Sequence, residues 1–285
     1  MCEKKMIKAI MNRRASRKSK SDEDIWGNKY ETESEDINKI TSITGFLPFS
    51  EEDFNVLTRW VSSKDKKILE AGCGSGRSCI GLSEKFPKSK IIGVDISNKT
   101  LKIARRGANL RKLKNVSFKK GDIFNLPFKN NSFDVVFNKG VIEHFTNYKE
   151  AIEEMVRVTK IGGKVIIAVP NKLNIVHSVY YYFSKNISKT YKYGMEILFT
   201  PRKLKENFIQ FGLKNIEQDG FSPFYRLAKL TSSRNIFLKT IQYFLRMIAI
   251  FCHYVIQKPL DFISIHKFSK YFGFEIVAKG EKPGI

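Results

Sequence analysis

Residues 68–79 read ILEAGCGSGRSC. A short apolar run, Ile68 to Ala71, leads into three glycines at alternate positions, Gly72, Gly74 and Gly76. A helix-compatible stretch, RSCIGLSEKF, follows. Glycine turns between a strand and a helix bind several nucleotide-like ligands, because the main chain can approach closely and a helix start favours negative charge. A dinucleotide fingerprint would need a third glycine where Arg77 stands, and a phosphate-binding P-loop would need Gly-Lys-Ser/Thr next; neither is present. The spacing is GxGxG.

Outward from this loop the chain alternates. β-like runs occur at KKILEA, KIIGVD, NVSFKK, FDVVFN and GKVIIAVP. Between most of them lie helix-like segments: SCIGLSEKF, NKTLKIARRGANL and YKEAIEEMVRVTK. Strand–helix alternation predicts a doubly wound parallel sheet, and the Ile/Val-rich early strands suit burial on both faces. TPRKLKENFIQFGL reads as a capped helix stopped by Gly212, with another strand after it. YFGFEIVAKGEKP supplies a last strand. SEEDF at 50–54 reads as a helix start, with Ser50 as cap and Asp53 three positions on. Residues 171–199 are aromatic and lysine-rich without a clear period.

Three carboxylates sit near strand ends. Glu70 ends the first strand, and Asp95 ends the second about twenty residues beyond the glycines, where a carboxylate can accept from both hydroxyls of a ribose. Asp122, after the third strand in KKGDIFNLPF, suits an amino group on a base. The alternative reading of such aspartates is turn or cap formation.

At this point the sequence resembles the class I S-adenosylmethionine-dependent methyltransferases. EAGCGSG, GVDIS, GDIFNLPF, FDVVFNKGVIEHF and GGKVIIAVPN follow one another in order across residues 66–171. The flavour is that of the small-molecule, lipid and quinone-biosynthesis branch. The resemblance implies an α/β, Rossmann-like, seven-stranded sheet, mostly parallel with an antiparallel C-terminal strand. It also implies S-adenosyl-L-methionine as cofactor. Glu70 and the chain around Gly72, Cys73, Gly74 and Gly76 would hold its methionyl part, and Asp95 its ribose. Ile96 would pack on the adenine, and Asp122 would bond the adenine amino group with the Ile123 amide beside it. The Asn138 carbonyl would accept from the cofactor's amino group. His144 in GVIEHF is the candidate general base, with a packing role as the alternative. Trp26 and Tyr30 are candidates for a lid or for core packing.

The bulk numbers bear on the acceptor. The chain has 285 residues and a formal charge of +23, from 51 Lys+Arg against 28 Asp+Glu. That surplus points to an anionic partner, either a membrane surface or nucleic acid, or else to a lysine-rich solvated surface. Cys2, Cys73, Cys79 and Cys252 form no CxxC pair, and no metal site is expected. The expected organisation is a basic-then-acidic N-terminal segment and lid (1–45), a methyltransferase core (46–220), a basic amphipathic helical insertion (221–270) and a final strand (271–285). In the insertion, Phe237, Ile241, Phe244, Leu245, Ile248, Cys252 and Val255 fall on one helical side. Lys239, Gln242, Arg246 and His253 fall on the other. Such a helix suits a membrane interface or the domain's own surface. Its longest uncharged run is shorter than the roughly 20 apolar residues a bilayer span needs. No secretory signal is expected, so the reading is a cytoplasmic protein, with association with a membrane surface as a further option, acting on a small hydrophobic or lipid-linked acceptor. The alternative is an RNA or protein methyltransferase; the sequence lacks both the NPPY-like and the Pro-Cys elements of base methylation.

Overall fold

The computed structural model describes residues 37, 41–42, 49–187, 189, 195–225, 236–264 and 267–284, with the backbone alone for 49–50, 236–240, 242, 264 and 267. Seven strands form one sheet in the order β3-β2-β1-β4-β5-β7-β6. The strands are β1 (Lys67–Ala71), β2 (Lys90–Asp95), β3 (Val116–Lys120), β4 (Phe133–Lys139), β5 (Thr159–Pro170), β6 (Lys214–Phe221) and β7 (Glu275–Glu281). The first five pair in parallel. Strand β7 lies antiparallel between β5 and β6. The α/β fold and its antiparallel last strand are as the sequence predicts.

Period-two alternation along the central strands feeds two separate cores. Leu69, Ile92, Val136 and Ile167 face α4 (Tyr148–Val158) and α6 (Pro201–Gln210), where Ile152, Leu204 and Phe208 are fully buried. Their neighbours Ile68, Ile91, Val135 and Ile166 face the other way, toward α1 (Phe49–Thr58), α2 (Arg77–Lys85) and α3 (Asn98–Leu110). Both faces are therefore covered, which explains the near-continuous apolar runs of β1, β2 and β4. Full burial of each such side chain contributes roughly 1.5–3 kcal/mol.

Local signals place the connections. Ser97 caps α3 by accepting the Thr100 amide, and Thr200 caps α6 by accepting that of Lys203. Gly212 ends α6 at φ +74°. The expected cap at Ser50 is not one. Helix α1 already includes Phe49 and Ser50, and the Asp53 carboxylate pairs with Lys139 instead.

The stretch without a period contains helix α5 (Ile175–Tyr182), capped by Asn174 accepting the His177 amide at 2.8 Å and continuing as a π-helical turn Phe183–Ile187. Between β6 and β7 lie α7 (Ile236–Cys252), a π-helical turn His253–Gln257, α8 (Lys258–Ser264) and α9 (Lys267–Phe272). The insertion is thus helical. Of the two sides that the spacing defines, His253 on the polar side is buried, while Phe244, Ile248 and Val255 on the apolar side are exposed. His253 and Gln257 both face the Glu52 carboxylate of α1. Phe237, Lys239 and Gln242 lie outside the described side chains, and Trp26, Tyr30 and the basic tail lie outside the described residues.

Candidate active site

The carboxyl ends of β1, β2, β3 and β4 bring the candidate residues to one edge of the sheet. There the glycine loop is held by main-chain bonds, with the amides of Gly72 and Cys73 both donating to the Val94 carbonyl, at 2.7 and 2.9 Å. Gly72, Gly74 and Gly76 all adopt positive φ, the left-handed region open to glycine. Two of them are also sterically required. A Cβ on Gly72 would lie 2.7 Å from a Val141 methyl, and one on Gly76 would lie 2.7 Å from the Phe118 ring and from Ala104.

Asp95 fixes the loop from below. Its Oδ2 accepts the Gly74 amide at 2.8 Å, while Oδ1 accepts the Ser97 amide and the Thr100 hydroxyl at 2.9 and 3.1 Å. The carboxylate is half-buried and Ile96 beside it is half-buried too. Asp122 is similarly placed after β3, with Oδ1 accepting the Phe124 amide at 3.0 Å. The Ile123 side chain enters the core, which leaves its backbone to serve any ligand.

Glu70 is buried under the loop. Its carboxyl accepts the Cys79 thiol at 2.9 Å. Burial pushes Glu70 up to about 7, against the opposing pull of its hydrogen bonds and of Lys139. The same burial holds the Cys79 thiol well above its ordinary range. Cys73 is buried as well, against Gly93 of β2. Asn138 is fully buried; its side chain donates to the Ala71 carbonyl at 2.5 Å and accepts the Ile142 amide at 3.4 Å. It therefore stitches the end of β1 to the turn after β4.

That turn is the 3-10 helix Ile142–His144. His144 Nδ1 lies 2.9 Å from the Met195 carbonyl, so this nitrogen carries the proton, and Nε2 lies 3.8 Å from a Glu143 oxygen. The imidazole is thus oriented at the mouth with both nitrogens facing protein groups.

One feature escaped sequence reasoning. Lys139, at the end of β4, is ion-paired with Asp53 of α1 and lies 5.5 Å over the Phe221 ring. Burial alone would lower its pKa, but Asp53 and Glu275 overcome this and raise it. Among the described residues no cluster of metal-ligating side chains occurs.

The cradle fits S-adenosylmethionine. Glycines that exclude a Cβ, a loop amide tied to a strand-end carboxylate, and a second carboxylate one strand further out match the demands of an amino acid, a ribose and an adenine. A sheet of this order with such a cradle defines the class I S-adenosylmethionine-dependent methyltransferases, and a methyltransferase-domain family matches residues 62–222. The chain belongs to that family. It is 39% identical over 108 residues to an uncharacterized methyltransferase of Schizosaccharomyces pombe, a match spanning 36% of this chain and 39% of that one. It is 30% identical over 151 residues to a demethylmenaquinone methyltransferase of a Geobacillus species, spanning 52% of this chain and 63% of the relative. A Haemonchus contortus phosphoethanolamine N-methyltransferase, solved with phosphomonomethylethanolamine and S-adenosylhomocysteine, shares the fold. The TM-score is 0.55 at 19% identity, over 81% of this chain and 53% of that one.

Proposed function

We propose that the protein transfers a methyl group from S-adenosylmethionine to a small, apolar acceptor. The observation that supports the transferase reading is the Asp95–Gly74 clasp, which fixes a strand-end carboxylate against a left-handed glycine loop. Glu70 and the loop around Gly72, Cys73, Gly74 and Gly76 would receive the methionyl part, Asp95 the ribose, Ile96 the adenine face, and Asp122 with the Ile123 amide the adenine edge. The Asn138 carbonyl would accept from the amino group. The bound cofactor supplies an activated sulfonium methyl. The chain's own task is then to hold a nucleophile in line with it, a proximity effect worth roughly 7–11 kcal/mol in favourable cases. Such a displacement needs a general base only where the acceptor must lose a proton. His144 would be the candidate for that role, with packing between Met195 and Glu143 as the alternative.

The apolar character of the acceptor is supported by the segment facing the loop. Val141 packs on Gly72, and Ile142 and Phe145 join the core beside it. The demethylmenaquinone-methylating relative acts on a molecule of that kind. The alternative, methylation of RNA or protein, is favoured by the charge of +23 and by the basic stretch at residues 4–20. We further propose that the expected ranges hold as units: a segment and lid (1–45), a core (46–220), an insertion (221–270) and a closing strand (271–285).

Calorimetric titration with S-adenosylhomocysteine tests the cofactor assignment. Binding by the wild type that is lost in Asp95→Ala is the expected result, and equal binding by both would sink it. Labelled methyl transfer into separate lipid, small-molecule and RNA extracts tests the acceptor class; label in the RNA fraction alone would replace it with the alternative.

A further inference from the structure

Helices of a water-exposed surface ordinarily bury apolar side chains and show polar ones. Two segments of this protein do the reverse. On α5 and its π-turn the buried side chains are His177 and Ser184, behind the buried cap Asn174, while Ile175 (72% exposed), Val179 and Phe183 point outward. Along α7, its π-turn and α8 the buried positions are Ala249, His253, Gln257 and Asp261, spaced four apart. Phe251, Phe262 (89%) and Ile263 (76%) face out.

The buried polar side chains have partners. Glu52 of α1 accepts from Gln257 and, at 2.9 and 3.0 Å, from the amide and hydroxyl of Ser222. Asp261 accepts the Ser269 amide and hydroxyl at 2.9 and 2.5 Å. His177 Nε2 meets Glu196 at 3.0 Å, and the Asn174 amide donates to the carbonyls of Pro223 and Phe272, joining the two segments. The outward apolar faces are thus fixed by their polar backs.

The sequence of these stretches is one-sided in charge. Residues 171–195 hold four lysines and no acid. Residues 222–274 hold eight Lys or Arg and one acid, Asp261, whose side chain is buried. On the described parts, Lys172, Lys185 and Lys258 are exposed. A second copy of the chain would bring the same excess against itself, whereas an anionic lipid surface complements it. No helix among the described residues is long and apolar enough to cross a membrane, so the helices would lie in its plane.

We propose that α5 and α7–α8 form a docking face for an anionic bilayer. Both segments leave the sheet where β5 and β6 end, at Pro170 and Phe221, the edge that carries the glycine loop. The mouth of the site therefore opens toward the lipid, and an apolar acceptor reaches it without crossing water; this last consequence rests on the methyl-transfer reading.

Cosedimentation of the full chain with phosphatidylglycerol-rich vesicles and with pure phosphatidylcholine vesicles tests the face. The expected result is binding to the anionic vesicles that falls with added salt. Phe262→Glu and Val179→Glu should each weaken it by on the order of tenfold, with S-adenosylhomocysteine affinity unchanged as a sign of intact folding. No vesicle binding, equal binding to pure phosphatidylcholine, or a dimer that the same substitutions split would overturn it. Should a variant lose ligand affinity, the wild-type contrast between the two vesicle types still decides. Ligand binding without vesicle binding defeats this inference alone, and the reverse outcome defeats the cofactor reading alone.

Discussion

The Asp95 carboxylate holds the Gly74 amide at 2.8 Å, across the 21 residues that separate the end of β2 from the glycine loop. One side chain thereby sets both the shape of the loop and the placement of the proposed ribose acceptor. Asp95→Ala should lower S-adenosylhomocysteine affinity by on the order of a hundredfold, since charged hydrogen bonds are lost on both sides. Asp95→Asn, which keeps the shape but reverses part of the bonding, should fall between. Titration calorimetry reads both.

Gly76 and Gly212 have nearly equal φ, +76° and +74°, in different surroundings. A Cβ at Gly76 would strike Phe118 and Ala104, whereas at Gly212 nothing lies within 4 Å. Gly212→Ala should cost about 1 kcal/mol from backbone strain alone. Gly76→Ala should cost roughly 2–4 kcal/mol, because strain and overpacking add. Denaturant melts of the pair separate the two effects; equal losses would refute the steric account.

The raised pKa of Glu70 has a defined sign. The unfolded carboxyl releases its proton near the ordinary 4.5 and the folded one near 7. Between those values the folded chain binds more protons, so stability falls as pH rises, being complete below 4.5 and reduced above 7. A shift of that size corresponds to about 3 kcal/mol. Glu70→Gln should flatten this part of the pH–stability curve, as read by thermal melts across the range; an unchanged slope would contradict it.

Lys139 and Asp53 form a partly buried pair. Lys139→Met strands a carboxylate and should cost roughly 2–4 kcal/mol, while adding Asp53→Asn should restore part of the loss. A double-mutant cycle with no coupling would show the pair to be energetically silent.

His144→Gln should retain S-adenosylhomocysteine affinity and lower turnover less than tenfold, if the ring mainly bridges Met195 and Glu143. A loss of about a hundredfold or more that also shifts the pH–rate profile would make it the base instead.

Much of this was legible in the residues. KIIGVD and FDVVFN announce strands buried on both faces, and the GxGxG spacing with Asp95 at the next strand end marks the cradle. What stayed hidden depends on tertiary pairing. Lys139 has no visible partner within FDVVFNKGVIEHF, because Asp53 lies 86 positions earlier on another element. Cys79 looks like a plain core residue until Glu70 meets it. Periodicity divides α7 into two faces but does not say which one turns inward; Glu52 and Ser222, distant in sequence, decide that.

The polar seam beneath the insertion bears on how such a chain can change over time. Glu52 loses its Ser222 and Gln257 donors if the insertion is removed. The Asn174 amide loses the Pro223 carbonyl, and without α9 and the turn after it the amides of Asn171 and Asn174 also lose the carbonyls of Tyr271, Gly273 and Phe272. Several buried groups of the core would be left bare at once, each at a penalty of roughly 1–3 kcal/mol. The extra helices are no detachable appendage. Having once been clasped in this way, they act as a ratchet: a descendant could trim the apolar face residue by residue far more easily than it could discard the helices that display it.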